Sequence, residues 1–309
     1  MSKLSIVVPV YFNEENLRPL YEDIQKKIIQ VIDFDYEIVM IDDGSDDGSW
    51  DVIQELARID RNVKPIRLSR NFGSHAAILC GLVRSTGDCA VVKAADLQEP
   101  TEMLLEMYQS WEQGNNVVLA VREEREDKSL FSDLYYWLTR KTALPKMPEH
   151  GFDTFLLDRK VIQVLDALDE TNSAITGQIL WSGFRTAEVR YIRRQREVGR
   201  SKWTLKKKIR LVADTLFSFS TLPITMIVVI GVLSCMGAAI WIVALVITKL
   251  SVGISVEGYT SMIIFQLFSF GIIMLTLGLL GNYLWRTFDA SRHRPVYIIE
   301  EEGNSEGNS

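Results

Sequence analysis

Two stretches, 222–248 and 261–285, carry no charged residue, and each exceeds the roughly 20 apolar residues that cross a hydrocarbon core. A chain with two such runs either buries two unusually apolar helices or sets a helical hairpin in a bilayer, and the hairpin is expected. Its orientation follows from the basic residues, because Lys and Arg close to a span stay on the cytoplasmic side. Arg190, Arg193, Arg194, Arg196, Arg200, Lys202, Lys206, Lys207, Lys208 and Arg210 precede the first run, and Arg286, Arg292 and Arg294 follow the second. The connection between them holds only Lys249 and Glu257. Both ends are therefore expected in the cytoplasm. The apolar run 4–10 is too short for a secretory signal and contains Pro9, so the N-terminal part is expected to remain where it is made.

That N-terminal part alternates β-type runs with helical spacing. Strands are expected over 4–10, 36–41, 63–68 and within 88–93, with helices over 16–32, 50–59, 74–83 and 101–113, then a strand over 116–121. Such alternation predicts an α/β domain with a mostly parallel sheet covered on both faces. The net charge of -6 argues against nucleic acid as a partner. Cys80, Cys89 and Cys235 lack metal-ligand spacing and read as core residues.

In open parallel sheets, ligands bind beyond the carboxyl ends of the strands. The run Asp-Cys-Ala-Val-Val-Lys-Ala-Ala-Asp-Leu-Gln-Glu-Pro at 88–100 empties into a turn carrying Asp96, Gln98 and Glu99. Asp96 and Gln98 are hard oxygen donors two residues apart, which suits a divalent cation shared with phosphates. Asp42 and Asp43, at another strand end, suit hydrogen bonding to a base and ribose. A dinucleotide oxidoreductase is disfavoured, because the turn Tyr-Phe-Asn-Glu-Glu-Asn at 11–16 lacks the glycines that let backbone approach a pyrophosphate. Leu205, Ile209, Val212, Leu216 and Phe219 recur at helical spacing among Lys206, Lys207, Lys208 and Arg210, the pattern of an interfacial amphipathic helix.

Several short motifs occur in a particular order: Val8-Pro9-Val10-Tyr11, Asp42-Asp43-Gly44-Ser45, Leu68-Ser69-Arg70-Asn71-Phe72-Gly73, Asp96-Leu97-Gln98, Asp153 ahead of Arg159, and Arg193, Arg196, Gly199, Ser201, Lys202 and Trp203. With these motifs before two spans, the chain resembles family 2 glycosyltransferases of the GT-A fold, in the membrane-anchored polyprenyl-phosphate branch that includes dolichol-phosphate mannose synthases and bactoprenol glucosyltransferases. The resemblance implies a Rossmann-like GT-A domain over 1–203, an amphipathic juxtamembrane helix over 204–220, a transmembrane hairpin over 221–286 and a partly disordered cytoplasmic tail over 287–309. It also implies inverting transfer of one hexose, from UDP-glucose or UDP-N-acetylglucosamine, to undecaprenyl or another polyprenyl phosphate on the cytoplasmic leaflet.

Residue by residue, the resemblance implies donor binding by Pro9, Tyr11, Asn13, Glu14, Asp42, Asp43, Ser45 and Lys93. Asp96 and Asp153 become catalytic candidates, with Asp96 and Gln98 as ligands to Mg²⁺ or Mn²⁺. Arg122, Arg125, Arg193, Arg196, Ser201 and Lys202 become candidates to hold phosphates and acceptor, Arg by its forked donors and Lys as a point charge. Two departures stand out. The usual Asp-x-Asp appears as Ala94-Ala95-Asp96, so metal dependence is an open expectation. The usual Tyr-Asn-Glu-Glu appears as Tyr11-Phe12-Asn13-Glu14-Glu15. Glycines at 271, 278 and 281 suit close packing of spans, and a homo-oligomer, a tetramer among the options, is expected. A processive polysaccharide synthase is a competing enzyme reading, weakened by Gln178-Ile-Leu-Trp181, which lacks the Arg of such enzymes' Gln-x-x-Arg-Trp. A membrane-tethered binding protein that lost catalysis with Ala94 is the non-enzymatic alternative. Beyond Pro295, the Glu/Gly/Asn/Ser tail is expected to lack structure.

Overall fold

The computed structural model describes residues 2–31, 35–123, 130–168, 170, 174–192, 218–220, 222–252 and 258–303. Strand β1 (Lys3–Val10) leads to α1 (Glu14–Ile24), and the unit repeats through β2 (Asp35–Asp42), α2 (Ser49–Ile59), β3 (Val63–Leu68), α3 (Ser74–Arg84), β4 (Cys89–Val92), α4 (Met103–Glu112) and β5 (Val117–Arg122). Next come α5 (Leu130–Thr142), β6 (Phe155–Asp158), α6 (Arg159–Ala167), α7 (Ile175–Trp181) and β7 (Thr186–Tyr191). Two long helices, α8 (Leu222–Val252) and α9 (Tyr259–Ser291), precede a last strand, β8 (Ile299–Glu302).

The strands form one sheet in the order β7-β5-β6-β4-β1-β2-β3-β8. Pairing is parallel for β4, β1, β2 and β3 and between β5 and β7, while β6 and β8 run antiparallel to their neighbours. Alternate residues of the same strand enter different cores. Ile6, Val8, Ile38 and Met40 face one, with Leu17, Leu20 and Ile53. Val7, Val39 and Ile41 face the other, with Ala77, Cys80 and Leu165. Burial on both faces is why β1 and β2 read as nearly continuous apolar runs. At the amino-terminal edge, the buried Glu37 carboxylate accepts from Ser5 at 2.6 Å and pairs with Lys64 at 2.6 Å and Lys3 at 2.9 Å. Burial alone pushes this carboxyl up, but those partners pull it well below the usual carboxylate range.

The helix expected over 16–32 is corrected at its end. After α1, residues Gln25–Ile29 form a π-helical turn, with Gln30 N–H donating to the Gln25 carbonyl at 3.0 Å. The wider turn shifts the apolar phase. Leu17, Leu20, Ile24 and Ile28 are buried, whereas Val31 is 61% exposed.

The tail beyond Pro295 is also corrected, for residues 298–303. Strand β8 pairs with β3, Ser69 N–H donates to the Ile298 carbonyl at 3.0 Å, and Gly303 N–H donates to the Pro65 carbonyl at 3.0 Å. The polar composition hid a β-type run, Val296-Tyr297-Ile298-Ile299. Arg67 and Arg84 lie 3.7 and 3.6 Å from the carboxylates of Glu300 and Glu302, so the acidic strand meets positive charge on the sheet edge.

Helices α8 and α9 contain the apolar windows Pro223–Trp241 and Phe268–Ser291, with mean hydropathy 2.3 and 1.5. Neither window is buried within the protein, so these are not core helices, and both are long and apolar enough to cross a membrane. Of the region expected to form the amphipathic helix, 204–217 lies outside the described residues. Phe219 packs where a Cβ on Gly177 would sit, 2.3 Å from its ring. Arg286, near the end of α9, donates to the Ser218 hydroxyl at 3.1 Å.

Candidate active site

The sheet order brings several loops to one edge. The carboxyl ends of β1, β2, β3, β4, β5 and β7 lie there, and because β6 and β8 run antiparallel, their first residues lie there too. Tyr11, Asp42, Arg67, Asp96, Arg122 and Asp153 are therefore neighbours along a single edge despite their spread in sequence.

Adjacent loops at this edge are tied together by side chains. Phe12 N–H donates to Ser45 Oγ and Asn13 N–H to Ser49 Oγ, both at 3.0 Å. Glu14 Oε2 accepts from Gly48 N–H at 3.0 Å, and its carboxylate packs 2.6 Å from where a Cβ on Gly48 would sit. Asn13 Oδ1 closes its own turn on Tyr11 N–H at 3.2 Å. Phe12 adopts a left-handed φ of 55° with its ring 4.6 Å from that of Tyr11. The extra residue of this turn is accommodated by that conformation, a strained one of the kind that collects at functional sites.

Asp43 holds the next loop, accepting from Phe72 N–H at 2.7 Å and Gly73 N–H at 2.9 Å. Gly44, at φ 65°, lies so close to this loop that a Cβ would be 2.6 Å from the Arg70 carbonyl carbon. Three residues expected to contact a donor, Asn13, Glu14 and Asp43, thus act first as ties between loops. Pro9, in β1, pairs in register with Ile41.

Asp42 differs. Its Oδ1 accepts from Ser45 N–H at 3.2 Å, but its buried Oδ2 has no hydrogen-bond partner. Arg67 Nε lies 3.6 Å away and 3.7 Å from Glu300 Oε2, and it is likewise buried without a hydrogen-bond partner. Burial raises the Asp42 carboxyl above its ordinary range, with Ser45 and Arg67 offsetting part of the rise. An acceptor and a donor thus stand side by side, both desolvated and without hydrogen bonds, which is costly. Arg67 was not among the sequence candidates. Its signal is register, since Arg67 stands directly across from Asp42 in the β2–β3 pairing.

At the end of β4, Asp96 Oδ1 accepts from Gln98 N–H at 3.3 Å, while Leu97 takes a left-handed φ of 57°. Gln98 is mostly buried. Among the described residues, no group of three or more His, Cys, Asp or Glu side chains is placed to hold a metal. One carboxylate and one amide at a turn nevertheless fit a magnesium-class ion, which takes one or two protein ligands and completes its shell with phosphates and water.

Lys93, at the foot of the same turn, is fully buried and donates from Nζ to the Glu99 carbonyl at 2.6 Å, so it supports the turn from beneath. Arg122 and Asp153 are brought together as an ion pair, with Arg122 Nε also donating to the Tyr191 hydroxyl at 3.3 Å. Asp153 is thereby placed to orient Arg122. Arg125, Arg193, Arg196, Ser201 and Lys202 lie outside the described residues. His75 is the second residue of α3, and Arg159 donates to the Gly87 carbonyl and, at 3.0 Å, to Ser85 Oγ, a structural tie under β4.

The family model for glycosyl transferase family 2 matches residues 5–165. The chain belongs to glycosyl transferase family 2. It is 35% identical over 301 residues to the uncharacterized glycosyltransferase YkcC of Bacillus subtilis (strain 168), covering 96% of this chain and 93% of that one. It is 34% identical over 304 residues to the bactoprenol glucosyl transferase of Shigella phage SfV, covering 97% and 99% respectively. Among solved structures it is similar to the mannosyltransferase PcManGT from Pyrobaculum calidifontis in complex with GDP-Man and Mn²⁺, at 14% identity and TM-score 0.47, over 90% of this chain and 87% of that one. This family 2 glycosyltransferase therefore has a GT-A fold, a mostly parallel Rossmann-like sheet followed by two apolar helices.

Proposed function

We propose that this glycosyltransferase moves a single hexose from a nucleotide-sugar, UDP-glucose or UDP-N-acetylglucosamine, to a polyprenyl phosphate on the cytoplasmic leaflet, with inversion at the anomeric carbon. The observation that carries the lipid acceptor is a shared edge. The Ser69 to Ile298 hydrogen bond puts the chain leaving α9 beside the carboxyl end of β3, so the apolar hairpin and the donor-side loops adjoin the same edge of the sheet. The likeness to a bactoprenol glucosyl transferase along nearly all of both chains supports the same acceptor class.

In this reading, Asp42 accepts from the base, Arg67 donates to it, and the Asp96 turn faces the donor diphosphate. Asp96 and Gln98 would hold a divalent cation, which neutralises charge on the departing diphosphate oxygen. Arg122, fixed by Asp153 and Tyr191, supplies positive charge to phosphate oxygens. Strand β7 ends at Tyr191 and β5 at Arg122 on this same edge; Arg193, Arg196, Ser201 and Lys202 follow the first closely in sequence and Arg125 the second, which supports acceptor binding by these residues. No strong protein base is required, because a phosphate monoester has a second pKa of about 6 and is largely dianionic near neutrality. Asp153 therefore serves in orientation.

The catalytic domain and C-terminus lie in the cytoplasm in this account, in keeping with the basic residues on either side of the spans. Gly271, Gly278 and Gly281 have nothing within 4 Å of a would-be Cβ, which supports self-association through α9. Membrane vesicles test function and orientation together. UDP-sugar added outside is expected to release UDP with inside-out vesicles containing polyprenyl phosphate, and not with sealed right-side-out vesicles. Release by the right-side-out preparation alone would reverse the orientation, and release that ignores added lipid phosphate would remove the acceptor.

A further inference from the structure

Beneath the Asp96 turn lies a buried ionic group that the reaction as described does not use. Lys93 and Glu99 are both buried, with Lys93 Nζ 2.6 Å from the Glu99 carbonyl and 3.9 Å from its carboxylate. The same carboxylate accepts from the Thr154 hydroxyl at 2.5 Å, and Thr154 is itself buried. Thr154 follows Asp153, and its carbonyl accepts from Ala120 N–H at 3.0 Å, at the β5–β6 junction. Glu99 thus joins the loop that ends β4 to the loop that begins β6, between Asp96 on one side and the Asp153–Arg122 pair on the other.

A buried carboxylate is costly unless paired and hydrogen-bonded. Here the cation comes from its own loop and the hydroxyl from the opposite one. We propose that Glu99, charge-compensated by Lys93, is a positioning residue that fixes the Asp96 turn against the loop bearing Asp153. Position 94 is an alanine, so Asp96 is the acid nearest the end of β4, and its placement depends on the joint beneath it. The kinetic part of this proposal rests on the glycosyl-transfer reading above, whereas the mechanical part does not.

Thr154→Val removes the hydroxyl at nearly constant volume, and Thr154→Ser keeps it. Amide hydrogen exchange on the full chain in detergent, without ligand, reads the peptides covering 94–100 and 150–157, alongside kcat and donor KM. Thr154→Val is expected to speed exchange in 94–100 as well as around its own site. Its kcat should fall by about 10-fold, with donor KM within about 3-fold, since modest misplacement of a reacting group costs turnover first. Thr154→Ser is expected to restore both. Unchanged exchange at 94–100, wild-type kcat in Thr154→Val, or failure of Thr154→Ser to restore them overturns the proposal. If Thr154→Val does not fold, Lys93→Met combined with Glu99→Leu replaces it, because an apolar pair commonly matches the stability of a buried ion pair. That double variant should keep its Tm and lose kcat, and wild-type kcat would overturn the proposal. Absence of transfer by the wild-type enzyme with every donor would defeat the glycosyl-transfer reading instead, and the exchange comparison would still decide whether Glu99 joins the loops.

Discussion

Asp96→Asn is expected to lower turnover by about 100-fold or more, the scale of losing one preorganised electrostatic contact at a developing charge. Asp96 is the carboxylate at the end of β4, in the turn closed by Gln98 N–H and bent through Leu97 at φ 57°. The amide of Asn can still close that turn, so the loss falls on charge and not on shape. Lipid binding should hardly change. Ala94→Asp should strengthen divalent-metal binding, because a second carboxylate adds charge to a hard oxygen site. Steady-state kcat at saturating donor, with a metal titration, checks both variants. Full activity in Asp96→Asn, with activity abolished in Arg122→Ala, would move charge neutralisation from the carboxylate turn to the cations.

Asp42→Asn is expected to weaken UDP binding by about 10- to 100-fold, because a hydrogen bond to a charged acceptor contributes about 1.5–3 kcal/mol and the proposed function makes Oδ2, which has no hydrogen bond within the protein, the acceptor of the base. Replacing one oxygen with an NH₂ group turns an acceptor into a donor facing the base. The Ser45 N–H contact at Oδ1 can persist to the amide oxygen, so the fold should hold. Calorimetric titration with UDP gives the affinity, and kcat at saturating donor should stay within about 3-fold. Unchanged UDP affinity would place the base elsewhere.

Much of this arrangement was legible in the sequence, for local reasons. Ile38, Val39, Met40 and Ile41 are all buried, and a strand covered on both faces has to be apolar at every position. The turns at Asp42 and Asp96 were visible because polar clusters interrupt such runs. What was not legible depends on pairings distant in sequence. Nothing near Arg122 announces its ion pair with Asp153, which arises from the antiparallel insertion of β6 next to β5. Nothing around Lys93 in the sequence announces that its ammonium is buried and donates to the Glu99 carbonyl. Strand β8 was hidden by its glutamates, whose charges are met by Arg67 and Arg84 on elements more than two hundred residues earlier in the chain.

The central claim is transfer of one sugar to a lipid phosphate, and the mass of the product tests it most directly. Purified enzyme, polyprenyl phosphate and UDP-glucose or UDP-N-acetylglucosamine should give an organic-soluble lipid heavier than the acceptor by a single sugar residue, with one UDP released for each product molecule. A ladder of added sugars would identify a processive synthase, and an unmodified acceptor with every nucleotide-sugar tried would contradict the account.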